Sequence, residues 1–129
     1  MLSKNHYLKL FAPMVAIIIF ILSSQSSITL PRTGIIPTDK IAHFLAFGAL
    51  SLSLCFWFSL ESWKENTFKT SLIVFSLASF YGALDEGHQH FVEYRVPSIS
   101  DWVADSLGAL SAIAVVIMWV KVIKSKSKK

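Results

Sequence analysis

Five of the chain's eight carboxylates fall within residues 81–105, YGALDEGHQHFVEYRVPSISDWVAD, together with His88, His90 and Arg95. Carboxylates and imidazoles at helical spacing can act as general acid and base or hold a divalent cation. An arginine among them can clamp a phosphate or carboxylate through two parallel hydrogen bonds. The spacing here is regular. Asp85 and Gln89, Glu86 and His90, and Asp101 and Asp105 are each four residues apart, as are Asp39 and His43 upstream. On helices each pair shares a face. Gly108 continues the Asp101–Asp105 stripe and lets a second helix approach closely.

The candidate roles follow from side-chain chemistry. Glu86 or Asp101 would be the base, with His43 assisting. Arg95 and Lys40 would hold an anionic head, and Asp39, Asp85, Gln89 and Asp105 would orient it. Glu86 with His90, plus His43, Asp101 or Asp105, would suit a divalent metal, although no HExxH or cysteine spacing sharpens that reading. No other cofactor site is evident. Plainer roles compete: Asp39 as a helix cap, His88 and His90 as solvated loop residues, Arg95 as a counter-ion for Asp85, Glu86 or Asp101. No elbow-type nucleophile is present.

The elements that must position these groups are apolar. The chain has 129 residues, 53% of them hydrophobic, with a mean hydropathy of +0.56, more apolar than a soluble domain of this size. A membrane span needs roughly 20 mostly apolar residues. Four runs approach or meet that, at about residues 8–26, 41–60, 67–86 and 102–120. The expected fold is a single all-α integral membrane domain over residues 1–129, a compact bundle of four transmembrane helices with a basic tail at 121–129. The first run, preceded by Lys4 and Lys9, also has the layout of a signal peptide. The absence of a clear A-x-A site after it favours a retained span.

Lysine and arginine set the orientation. Lys4, Lys9, Lys64, Lys69 and the five tail lysines would share one face, against Arg32, Lys40 and Arg95 on the other. Both termini are therefore expected in the cytoplasm and the carboxylate cluster outside. The basic excess reports topology and contact with lipid headgroups, not nucleic-acid binding. Pro37-Thr38-Asp39 and Ser100-Asp101 read as helix starts with acidic first turns. Trp57, Trp63, Trp102 and Trp119 fall near span ends, where interfacial anchoring is the default. Cys55, the single cysteine, lies inside the second run.

Three stretches resemble the VanZ family of bacterial membrane proteins. Ser23-Ser24-Gln25-Ser26 resembles its patch after the first span, and Asp39-Lys40-Ile41-Ala42-His43-Phe44 its D-K-x-x-H-F signature. Asp85-Glu86 through Gln89, Arg95, Ser100-Asp101, Asp105 and Gly108 resemble its third motif. This chain departs from the family's frequent choices at Asp105, often Asn, and at Phe47, often Tyr. The resemblance implies a multi-pass protein of the bacterial cytoplasmic (inner) membrane. The family is named for a protein linked to reduced sensitivity to teicoplanin, which acts on cell-wall precursors outside the membrane. An anionic lipid or lipid-linked wall precursor at the outer leaflet is therefore the expected ligand. The competing expectation is a scaffold whose polar cluster is structural and which docks an envelope enzyme.

Overall fold

The computed structural model describes residues 6–26 and 38–126. Lys4, Arg32, Pro37, Lys128 and Lys129, which enter the expectations above, lie outside the described residues. Every regular element among the described residues is a helix: α1 (His6–Lys9), α2 (Phe11–Ser23), α3 (Thr38–Cys55), α4 (Leu60–Glu65), α5 (Thr67–Gln89) and α6 (Ile99–Lys126). Pro13 falls in the first turn of α2, where no helical partner is lost by its missing N–H.

Two helices, α5 and α6, are long and apolar enough to cross a membrane. Only 22% and 28% of their most apolar stretches is buried, whereas the core helix of a soluble protein would be mostly buried. Large apolar side chains instead coat the outside of the bundle, among them Ile18, Leu45, Phe80, Leu110 and Met118. An apolar coat spread over several helices suits lipid better than water.

Helix α3 lies along α6, α5 packs on α6, and α2 leans on α3. The α3–α6 crossing is built on glycine. A Cβ at Gly108 would lie 2.1 Å from the carbonyl oxygen of Phe44 and 3.1 Å from the amide nitrogen of Gly48. Below the crossing, Phe47, Leu50, Val74, Ala78, Ala109 and Ile113 fill the interior, and the Ser51 hydroxyl donates to the Ala109 carbonyl at 3.1 Å.

Helix α3 ends at Cys55, five residues before the expected end of the second span. The reason lies in the next element. Ser59 caps α4, its hydroxyl accepting from the Ser62 amide at 3.1 Å. This turns the chain so that Trp63 enters the core, fully buried, with its indole N–H donating to the Cys55 carbonyl at 3.3 Å. Trp63 is thus a core residue, whereas Trp102 stays exposed, although its indole N–H donates to the Ser79 carbonyl at 3.0 Å. Trp57 and Trp119 stay exposed, as interfacial anchors would.

Between α5 and α6 the chain makes a short link. Tyr94 takes a left-handed conformation, φ 64°, which costs a non-glycine residue about 1–2 kcal/mol. Its side chain is exposed. Tyr94→Gly is therefore expected to be neutral or to raise the thermal midpoint by a few degrees, a gain of about 0.5–1 kcal/mol offset in part by unfolded-chain entropy. Scanning fluorimetry in detergent checks this, and a lowered midpoint would contradict the link as described. Helix α6 starts at Ile99, with the Ser98 carbonyl accepting from Asp101 at 2.9 Å. Ser100 lies inside the first turn, its hydroxyl 2.6 Å from that of Ser98.

Candidate polar site at one end of the bundle

The nine sequence-derived candidates gather at one end of the bundle, where α3 and α6 begin and α5 ends. The helix starts supply positive dipole ends, and the acidic first turns of α3 and α6 complement them. Four carboxylates are buried there: Asp85 at 5% exposure, Glu86 at 8%, Asp101 at 8% and Asp105 at 0%. Buried charges at membrane depth are costly unless paired or hydrogen-bonded, so each one's partner matters.

Asp101 is met by Lys40, whose ammonium hydrogen-bonds its carboxylate across the α3–α6 interface. That bond raises the Lys40 pKa against the opposing pull of desolvation, and the nearby charges of Asp101, Asp39 and Glu86 add to it. Lys40 thus stays charged. Asp39 sits at the mouth, half-exposed, 3.8 Å from the same ammonium.

Asp105 is met by His43. The ring Nδ1 lies 2.9 Å from Asp105 Oδ1, which leaves Asp105 Oδ2 buried without a hydrogen-bond partner among the described residues. Gly82 on α5 faces this carboxylate, and a Cβ there would come within 3.0 Å of Oδ2.

Asp85 is held by neutral donors. The Ser23 hydroxyl donates to its Oδ1 at 2.6 Å, and Gln89 donates to its Oδ2 at 3.0 Å. The Asp85–Gln89 pair is the expected i, i+4 contact. Ser23, buried at the end of α2, was not among the site candidates. Its signal was the small polar patch that follows the first apolar run.

Glu86 does not pair with His90, despite their spacing. Its Oε2 accepts the Ser98 amide at 2.7 Å, and its Oε1 is buried without a partner among the described residues. His90 is exposed and rests edge-on against Phe91. His88 instead ties α5 to α2, 2.9 Å from the Ser24 hydroxyl and with its ring centroid 4.6 Å from that of Phe20.

Arg95 reaches across to α2. Its Nε donates to the Gln25 carbonyl at 3.3 Å and its Nη2 to the Leu22 carbonyl at 3.2 Å. Both carbonyls lie at or just past the C-terminus of α2, where the Leu22 carbonyl also accepts from the Gln25 amide at 3.3 Å. Two of its five N–H donors are thereby used.

Two cavities open at this end. One, of about 310 Å³, lies between α2, α3 and α5. Asp39, His43, Asp85, Gln89 and Arg95 form its polar side, while Ile19, Leu22, Ala42, Ala46 and Phe47 form its apolar side. The other, of about 350 Å³, is lined by Glu86, His90, Ser98 and Trp102 with neighbouring α5 and α6 residues. His43 therefore borders the first cavity and Glu86 the second.

A family model described as VanZ/LLP1 matches residues 3–121. No curated protein and no solved structure matches the chain.

Proposed function

The chain belongs to the VanZ/LLP1 family, and from that premise we propose a multi-pass protein of the bacterial cytoplasmic membrane that holds an anionic lipid or lipid-linked wall precursor. The ligand sits at the extracytoplasmic end of a four-span bundle whose termini are cytoplasmic. The observation that carries this reading is the two-faced cavity of about 310 Å³. An amphiphile needs an apolar wall for its chain and polar groups for its head, both reachable from the bilayer. Ile19, Leu22, Ala46 and Phe47 supply the wall. Arg95, with donors to spare, takes the anionic part of the head. Asp39 and Asp85 accept from hydroxyl or amine groups, and Gln89 serves either partner.

Lys40 acts indirectly, neutralising Asp101 so that the site keeps less negative charge. Of the residues expected to handle protons, Asp101 is engaged by Lys40, so Glu86 is the better-placed base, with His43 on the far side of it. An occupant of this kind would connect the protein to glycopeptide (teicoplanin) susceptibility, because that drug acts on wall precursors at the same membrane face.

A scaffold reading has its own support. Asp85, Asp101 and Asp105 each find a partner on the chain itself, and Arg95 bonds backbone of α2. In that case the cluster holds helices together and the bundle docks an envelope enzyme. Arg95→Lys disturbs the cavity and the α2 anchor at once, because one ammonium cannot follow the guanidinium's geometry.

Ala42→Trp separates the two readings. Ala42 lines the cavity and is exposed, so an indole there fills the space and removes no polar partner. Native mass spectrometry of the wild type in mild detergent is expected to show a copurified anionic amphiphile. In Ala42→Trp that mass should fall at least about tenfold in occupancy, with the thermal midpoint unchanged. A wild type that carries no amphiphile, or a variant that retains it, would favour the scaffold.

A further inference from the structure

From the polar cluster we infer that His43, Glu86 and Asp105 form a binding site for one divalent transition-metal ion of the Mn²⁺ or Zn²⁺ class. Each residue offers a ligand atom within 4.8 Å of the other two. They come from three different helices, α3, α5 and α6, so the ion would sit at a three-way junction. An ion bound at about 2.1 Å spaces its ligands about 3–4 Å apart, so side-chain shifts of under about 1 Å close the set. The site is empty of protein partners where an ion would need it to be. Glu86 Oε1 and Asp105 Oδ2 are both buried and both lack a hydrogen-bond partner among the described residues. A buried carboxylate oxygen left without a donor costs about 1–3 kcal/mol or more, and two such oxygens beside one imidazole are what a cation would satisfy.

The charge balance points the same way. Asp85, Glu86, Asp101 and Asp105 are buried, and the cation bonded among them is Lys40, on Asp101. Asp85 is held by a hydroxyl and an amide, which carry no charge. Even with His43 protonated, four negative charges would face two positive ones. A divalent ion taken by a neutral imidazole leaves four negative charges facing three positive ones, and it frees His43 from having to carry charge. Two hard carboxylate oxygens with one borderline nitrogen favour Mn²⁺, Fe²⁺ or Zn²⁺ over Mg²⁺ and Ca²⁺, which take oxygen sets. His43 borders one cavity and Glu86 the other, so water from either can complete the shell. His90, a candidate ligand by spacing, is exposed and outside this group.

The inference needs only these three side chains and no amphiphile in the first cavity, and an ion held there would take Glu86 out of the role of base. The test is a titration of the full-length, chelator-stripped protein in detergent with Mn²⁺, followed by loss of the free-ion EPR signal, with Zn²⁺ as competitor. The expected result is one Mn²⁺ per chain, displaced by Zn²⁺, with a ¹⁴N coupling from the His43 ring in the bound-ion spectrum. Glu86→Gln and Asp105→Asn keep shape and remove charge, and each should weaken binding at least roughly 10–100-fold. Glu93→Gln, at an exposed carboxylate on the link between α5 and α6, should bind like the wild type. Absence of stoichiometric binding overturns the inference, as does a bound ion without nitrogen coupling or binding that Glu86→Gln and Asp105→Asn leave intact. The wild-type spectrum decides the matter even where a variant fails to fold.

Discussion

Gly108→Ala is expected to lower the thermal midpoint in detergent by about 10 °C, a loss of about 3 kcal/mol at the upper end of overpacking costs. The new methyl would lie 2.1 Å from the Phe44 carbonyl oxygen and 3.1 Å from the Gly48 nitrogen. Both are backbone atoms, so no rotamer change relieves the clash, and α3 must back away from α6. Phe44 sits one residue from His43 and four from Lys40, so the displacement reaches the His43–Asp105 and Lys40–Asp101 pairs. Stability and site should fail together. Two glycines provide controls. A Cβ at Gly48 would make only ordinary contact, 3.4 Å from the Gly108 carbonyl oxygen, and one at Gly87 would meet nothing within 4 Å. Gly87→Ala should gain up to about 1 kcal/mol from helix propensity alone. Scanning fluorimetry of the three variants ranks them, and a midpoint for Gly108→Ala within two degrees of the wild type would mean that α3 and α6 do not cross there.

The second large effect is expected from His43→Phe. Asp105 is 0% exposed, and its bond to His43 is the 2.9 Å contact that serves Oδ1. With the ring nitrogen gone, both carboxylate oxygens are left buried and unpaired. Breaking a buried pair in this way costs about 3–5 kcal/mol. The cost belongs to the stranded carboxylate and not to the lost imidazole, which yields a second expectation. Asp105→Asn added to His43→Phe should recover part of the loss, because a neutral amide is cheaper to bury than a charge. Asp105→Asn alone should be mild, since its amide oxygen can still meet the His43 ring. A double-mutant cycle on thermal midpoints measures the coupling. Additive losses from the two substitutions would show that the pair does not act as a unit.

Much of this arrangement is local and therefore legible in the chain. Long apolar runs specify helices with apolar outer faces, and acidic residues after Pro37 and Pro97 mark where two of them begin. A four-residue spacing puts side chains on one face, and so Asp85 with Gln89 could be read directly, as could the gathering of Asp39, His43, Glu86, Asp101 and Asp105 at the same end of the apolar runs. Spacing does not say which way that face points. The rotation of each helix about its axis is decided by packing, here by the Gly48–Gly108 crossing and the burial of Phe47 and Trp63. Only that rotation selects Lys40 for Asp101 and His43 for Asp105, partners about sixty residues apart. It also sends Glu86 to the Ser98 amide while His90 turns to the surface, and it brings Ser23 onto Asp85. Arg95, which reads as a ligand clamp or counter-ion in the chain, finds the Leu22 and Gln25 carbonyls because the end of α2 lies within its reach. The sequence by itself determined the helices, the apolar coat and the set of polar groups at one end. The tertiary structure alone decided their pairing, and with it which two carboxylate oxygens were left over, because pairing depends on distances between helices that no spacing along the chain contains.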